Sequence, residues 1–135
     1  MKAIPGKMLT RRARRGAAVV ELAIVSPLLF AMLFGIIEFG WLFTVQHTMV
    51  NASREGARVG CLSGATVEDI TQTTRDFLTP MGLQDKVTIN ITEPTIDDPF
   101  ITVQITVPRE DVSLVGNFFG FSGGQLEGTT TMRQE

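Results

Sequence analysis

The sequence has little of what most enzymes and metal proteins use. Its 135 residues include one cysteine, one histidine and no tyrosine. A single cysteine excludes an intramolecular disulfide, and one cysteine with one histidine cannot form a standard metal cluster. The chain also lacks a nucleophile-elbow sequence, a phosphate-binding glycine loop and a zinc-protease helix motif. These absences predict a protein that is not an enzyme and that carries no metal and no cofactor.

The isolated chemical groups predict structural roles. Cys61 is interpreted either as a small buried residue at a helix end or as one half of a disulfide to another subunit. His47 is predicted to lie on the surface, because no second ligand stands at metal-binding spacing from it. Glu93, Asp97 and Asp98 lack the ligand spacing of a calcium loop, so they indicate a solvated acidic turn.

Acidic residues are absent from the first sixteen positions, which hold six bases, whereas the remainder holds six bases and fourteen acids. We predict a disordered basic leader over residues 1–15. A basic flank before an apolar span places the N-terminus in the cytoplasm and the rest of the chain outside. Nucleic-acid binding is the competing interpretation, but the cluster abuts an apolar run and has no interleaved aromatic residues. The bases are Lys2, Lys7, Arg11, Arg12, Arg14 and Arg15.

The apolar segment Ala17–Ile37 carries no charge after residue 21. As a helix rising ~1.5 Å per residue it is about 31 Å long, which matches the hydrocarbon core of a bilayer. It is too long for the core of a secretory signal peptide, and no clear Ala-x-Ala site closes it. We predict a transmembrane helix over residues 17–41, with Glu38 and Trp41 at the far interface.

Two residues interrupt this segment. Glu21 lies about one turn inside the near interface, where an unpaired carboxylate costs about 2–3 kcal/mol. An acid at this depth indicates a functional residue that pairs with another group. The alternative is that its side chain extends to the lipid headgroups. Pro27 removes a backbone donor and is expected to bend or loosen the helix, either as a plain bend or with a function.

These features occur in an order that resembles a known family. A basic leader, Gly16, small apolar residues and a glutamate five positions later resemble a type IV prepilin processing site. With the stretches that follow, the segment resembles the TadE-like family, which are minor pilins or pseudopilins of the Tad (Flp) pilus assembly system. The similarity is strong over residues 16–60 and weak elsewhere. The matching stretches are Glu21-Leu22-Ala23, Ser26-Pro27-Leu28-Leu29, Gly35-Ile36-Ile37-Glu38-Phe39-Gly40 and Asn51-Ala52-Ser53-Arg54-Glu55-Gly56-Ala57-Arg58.

The resemblance implies cleavage by a prepilin peptidase between Gly16 and Ala17. Glu21 would then pair with the new amine of Ala17, of its own chain or a neighbour, and set axial register. Pro27 would let the helix stretch when it packs in a filament. The implied partners are the peptidase, other pilin and pseudopilin subunits, an inner-membrane assembly platform and the lipid bilayer, with no nucleic acid.

The resemblance also implies a location in the bacterial inner membrane. The chain would cross it once, with a cytoplasmic N-terminus and a periplasmic or extracellular head, and the subunit can also enter the pilus. Major subunits of such systems are very short, so a chain with a head is expected to be minor. The competing interpretation is a single-pass anchored binding or sensor module that does not polymerise.

Spacings of three and four predict an amphipathic continuation of the same helix over residues 42–62. Small residues such as Ala52 and Gly56 allow close approach of another backbone, either the sheet of the same chain or a neighbour's helix. Glu55 and Arg58 can pair at their three-residue spacing. The apolar positions are Trp41, Val45, Met49, Ala52, Gly56 and Val59, and the polar ones are Gln46, Asn51, Arg54, Glu55 and Arg58.

The remaining residues, 63–135, predict a small extracytoplasmic head. Thr66 and Asp69 resemble a capping box that begins a helix ending near Thr79. One face of this helix is expected to bury Ile70, Phe77 and Leu78, with Val67 close by.

Alternating apolar residues predict strands at 86–92 and 100–107, joined as a hairpin, and a third strand at 126–132 that Gly128 weakens. Residues 112–121 predict either a short helix or a hydrophobic loop that touches the membrane or a partner. The predicted fold class is α+β, pilin-like, with one head helix and an antiparallel sheet of about three strands. Its parts are the leader 1–16, the transmembrane helix 17–41, the extension 42–62 and the head 63–135. Phe118, Phe119 and Phe121 are more typical of a core than of an interface.

Overall fold

The computed structural model describes residues 8–116, 120 and 123–134, the first eight of these by their backbone alone. The chain divides into two compact units, Met1–Ile37 and Glu38–Glu135. A long N-terminal helix is followed by a short helix and a three-stranded antiparallel sheet, so the predicted α+β class is confirmed. The elements are α1 Met8–Gly60, α2 Val67–Leu78, a 3-10 turn Thr79–Met81, β1 Thr88–Thr92, β2 Phe100–Pro108, α3 Arg109–Val112 and β3 Gln125–Arg133.

The first unit is helical from Met8 onwards. The prediction of a disordered leader is therefore wrong for residues 8–15; its first seven residues lie outside the described part. The stretch from Met8 to Arg15 contains good helix formers and neither glycine nor proline, so helix propensity prevails over the charge density there. From Gly16 to Ile37 the side chains are exposed, apart from the half-buried Ser26.

The second unit has a core formed by α1, α2 and one face of the sheet. The sheet order is β1-β2-β3, and both pairings are antiparallel. The central strand β2 alternates strictly and buries every second side chain. Because full burial of one aliphatic side chain stabilises a fold by about 1.5–3 kcal/mol, this strand is a main source of stability. The buried residues of β2 are Ile101, Val103, Ile105 and Val107.

The predicted capping box at the start of α2 is confirmed. The Asp69 amide donates to Thr66 Oγ1 at 3.2 Å, and the Thr66 amide donates to Asp69 Oδ2 at 2.9 Å. Hydrogen bonds from Thr66, of which the side-chain bond has the largest effect, lower the pKa of Asp69.

Burial on α2 differs in part from the prediction. Ile70 and Leu78 are buried, but Phe77 is 43% exposed and Val67 is 42% exposed. Thr74 completes the buried face instead. Positions 70, 74 and 78 are spaced by four residues, so Phe77 falls at the edge of this face and Val67 at the open end of the helix.

The stretch 112–121 is a turn rather than a helix where it is described. The helical residues precede it as α3, and Val112 is the last of them. Residues 113–116 form a bend and turn. Phe118, Phe119 and Phe121 lie outside the described residues, so their predicted place in the core stays a prediction.

Candidate functional site

The residues assigned to processing and register lie on the exposed part of α1. Gly16, Ala17 and Glu21 are all helical and exposed, and a Cβ added at Gly16 meets no atom within 4 Å. The helix continues through Pro27. This part of the chain therefore presents its side chains outwards, where a lipid, a peptidase or another helix can reach them.

Among the described residues, one helix is long and apolar enough to cross a membrane. Its most apolar window is not buried within the protein at all. A helix that is apolar on every side and has no protein cover needs an apolar solvent or a partner helix.

Glu38 is the first residue of the second unit, and the structure places it in a polar cradle. Its carboxylate accepts hydrogen bonds from Ser113 Oγ at 2.6 Å, from the Leu114 amide at 3.0 Å and from the Val115 amide at 2.8 Å. The residue is only 8% exposed. A carboxylate that receives several hydrogen bonds can be buried without a cation.

Gly116 allows this cradle to close. A Cβ added there would lie 2.6 Å from Ser113 Oγ and 3.1 Å from Glu38 Oε1. Any larger side chain would displace the hydroxyl that donates to the carboxylate.

Trp41 binds the same segment one turn further along α1. Its indole Nε1 donates to the Val112 carbonyl at 2.7 Å. The sequence predicts Glu38 and Trp41 at a membrane interface, and that stays a prediction. The structure adds that both side chains hold residues 112–115 against α1.

Replacing Glu38 with alanine is expected to release this segment. The Leu114 and Val115 amides would lose their acceptor, and hydrogen bonds to a charged group contribute about 2 kcal/mol each. We expect faster hydrogen exchange at both amides and a lower melting temperature. Glu55→Ala is the matched control, since it removes from the same helix a carboxylate that accepts a hydrogen bond from Arg58. Unchanged exchange at residues 114 and 115 would contradict the role of Glu38.

The small residues of α1 are buried against elements of the same chain. A Cβ added at Gly56 would lie 2.3 Å from Thr74 Oγ1 of α2, and one added at Gly60 would lie 2.3 Å from Ile101 Cδ1 of β2. Ala52 and Ala57 are fully buried. Of the two partners that the sequence left open, the structure therefore shows the protein's own head at these positions.

Polar contacts fix the register of α1 on β3. Ser53 is fully buried, and its Oγ lies 2.7 Å from Thr130 Oγ1. The Gln46 side-chain amide donates to the carbonyl of Glu127. These contacts join residues 77 and 81 positions apart, and no local sequence signal indicates them.

The opposite side of α1 carries the charged residues. Arg58 Nε donates to Glu55 Oε2 at 3.1 Å, as their spacing suggested. This hydrogen bond lowers the pKa of Glu55 and raises the pKa of Arg58. Asn51 and Arg54 are exposed on the same side.

The isolated groups stay isolated in the part of the chain that the structure describes. His47 is exposed and its ring lies edge-on to Phe43, with the centroids 4.2 Å apart. Cys61 is half-buried, and its thiol donates to the Arg133 carbonyl at 3.4 Å. Within residues 8–116, 120 and 123–134, no three His, Cys, Asp or Glu side chains lie together as metal ligands.

Comparison with known proteins identifies the segment that carries these features. Residues 16–58 match the TadE-like protein family. The resemblance predicted from the sequence is confirmed over that range. No curated protein and no solved structure matches the chain.

The TadE-like match covers two physically different stretches of α1. Its first part is the exposed segment with Gly16, Ala17 and Glu21, and its second part is the face buried against the head. The TadE-like family is associated with the Tad pilus, so the match suggests a pilus-associated protein, and its long apolar helix could span a membrane. α2 and the three strands lie beyond the matched residues.

Proposed function

We propose that this protein is a minor pilin or pseudopilin of a Tad (Flp) type pilus, made as a precursor that a prepilin peptidase cuts after Gly16. The mature chain would then begin at Ala17 and stay in the bacterial inner membrane through its apolar helix. The head would lie on the periplasmic or extracellular side. The partners would be other pilin and pseudopilin subunits and the assembly platform.

The observation that carries this proposal is the exposure of the first part of the TadE-like segment. From Ala17 to Ile37 its side chains are exposed, apart from the half-buried Ser26, and this apolar surface includes one acid, Glu21. A helix of this kind fits lipid first and the helices of neighbouring subunits later, because both environments are apolar.

Glu21 has a specific role in this proposal. It is exposed, while the neighbouring Val20 and Leu22 are apolar and also exposed, at 59% and 63%. A carboxylate among packed apolar helices needs a counter-charge. Cleavage after Gly16 supplies one, the ammonium group of Ala17, on the same chain or on a neighbour, and the pairing would fix the axial register of the subunits.

The N-terminal residue of the native protein tests the proposed processing. Mass spectrometry of the protein purified from its own membrane should find a chain that begins at Ala17. An intact Met1, or a cut beyond residue 40, would instead favour the anchored module that does not polymerise.

Replacing Glu21 with alanine is expected to leave membrane insertion intact and to abolish incorporation into the pilus or its assembly complex. Val20→Ala is the matched control, since it shortens a neighbouring exposed side chain and removes no charge. The measurement is the amount of each variant in the membrane fraction and in sheared or affinity-purified assemblies. Normal incorporation of Glu21→Ala would disprove the pairing.

A further inference from the structure

The turn at residues 113–116 is fixed at a known level along α1. Hydrogen bonds from the Leu114 and Val115 amides end on the carboxylate of Glu38. Glu38 directly follows Ile37, where about 31 Å of apolar helix beginning at Ala17 ends. The turn is therefore bound to the residue that the sequence predicts at the far interface.

The turn presents an apolar side chain at that level. Leu114 is 59% exposed although its amide is held in the cradle. On α1, Phe39 and Phe43 are also exposed, at 72% and 55%. Their side of α1 adjoins a groove of about 320 Å³ that reaches Arg109 and Leu126 of the head. In water these exposed apolar groups would be unfavourable, whereas aromatic residues are enriched where headgroups meet acyl chains.

We propose that the turn at residues 113–116 rests in the lipid interface, with Leu114 inserted among the upper acyl chains. This inference depends on the membrane span of the proposed function and adds a second contact between head and bilayer. Glu38 acts as a positioning residue. Its carboxylate accepts hydrogen bonds from the backbone amides of the turn, which acyl chains cannot do.

The contact is apolar rather than electrostatic. Glu110 and Asp111 stand shortly before the turn. Two bases lie beside them, Arg109 in sequence and Lys86, whose Nζ donates to the Asp111 carbonyl at 3.0 Å. Two acids and two bases balance, so this region has no excess positive charge to attract anionic lipid. The contact is therefore expected in zwitterionic phosphatidylcholine and should not depend on anionic lipid.

A depth-sensitive fluorophore tests the contact in the full chain. In a Cys61→Ser background, Leu114→Cys is labelled with an NBD dye and the protein is reconstituted into phosphatidylcholine vesicles. We expect blue-shifted emission and quenching by nitroxides placed in the headgroup and upper acyl region. Ile96→Cys is the control: Ile96 is another exposed apolar residue, but it lies in the hairpin loop, whose residues Glu93 and Pro94 adjoin Gly60 at the other end of the head, and it should emit as in water.

A third label separates this inference from the proposed anchor. Leu28→Cys, in the middle of the span, should be quenched by deep acyl nitroxides whether or not the turn touches lipid. Lipid quenching at position 28 with water-like emission at position 114 overturns the turn contact alone. Water-like emission at both positions overturns the anchor as well.

The remaining outcomes also decide the question. Blue-shifted emission at position 114 that lipid nitroxides do not quench, and that grows with the protein-to-lipid ratio, would indicate a second copy of the chain and would overturn the lipid contact. Adding Glu38→Ala to the Leu114→Cys protein should shift the emission back towards that of water. An unchanged emission would remove Glu38 from the positioning role.

Discussion

Replacing Gly128 with alanine is expected to destabilise the head by about 3 kcal/mol, near the upper end for overpacking a core. A Cβ at this position of β3 would lie 2.8 Å from the backbone carbon of Met49 and 2.9 Å from the amide nitrogen of Val50. Backbone atoms inside a helix cannot rotate aside as a side chain can. The helix α1 would therefore have to move off the sheet.

Circular dichroism of the full-length protein in detergent measures this effect as a lower melting temperature. Gly40→Ala is the matched control, because it adds the same methyl group to α1 where nothing lies within 4 Å. Alanine in a helix interior is favoured over glycine by about 1 kcal/mol, so this control should be neutral or stabilising. Equal melting of the Gly128→Ala and wild-type proteins would show that the helix can shift at little cost.

Replacing Gly56 with alanine is expected to destabilise the protein, and a second substitution should restore it. The added Cβ would lie 2.3 Å from Thr74 Oγ1, which is buried and donates to the Ile70 carbonyl at 2.7 Å. Thr74→Ala removes that oxygen. The next nearest atoms, on Ile70 and Val103, would lie at 3.5 and 3.6 Å, which is ordinary contact.

A double-mutant cycle by thermal or denaturant unfolding tests this reciprocity. Gly56→Ala alone should be clearly less stable than the wild type, and Gly56→Ala with Thr74→Ala should be more stable than the sum of the single effects predicts. Atoms in direct contact typically couple by about 0.5–3 kcal/mol. Strictly additive effects would mean that Thr74 Oγ1 is not what prevents a larger side chain at position 56.

Much of the fold could be predicted because it depends on local patterns. The capping box at Thr66 and Asp69, the alternation along β2 and the spacing of three and four along α1 each lie within one element. Their outcomes in the structure agree, since burial follows these periodicities. Phe77 and Val67 are the exceptions: the buried face of α2 runs through positions 70, 74 and 78, which leaves Phe77 at its edge and Val67 at the open end of the helix.

The contacts that organise the candidate site could not be predicted, because they join distant parts of the chain. Glu38 accepts hydrogen bonds from residues about 75 positions away, whereas the sequence alone predicts only that it lies at a membrane interface. The sequence alone predicts that Gly128 weakens the third strand. The structure shows instead that its missing side chain admits the backbone of Met49. Both cases need knowledge of which elements lie together.

The structure explains the two parts of the TadE-like segment to different extents. Gly16 and Glu21 lie within the TadE-like match, but the roles proposed for them depend on a peptidase and on neighbouring subunits, which a single chain does not contain. The order Asn51 to Arg58 belongs to the same match. Its small residues Ala52 and Gly56 have visible partners in the head.

Because Ala52, Gly56 and Gly60 are committed to the inside of the head, the upper half of α1 has two sides under different constraints. Volume is restricted on one side, where an extra methyl group separates helix from sheet. On the other side, solvent surrounds the side chains of Asn51, Arg54 and Arg58, so larger or smaller side chains fit there. A saturation scan along this helix would therefore divide it lengthwise into a stripe that reports whether the subunit folds and a stripe that reports what it meets once folded.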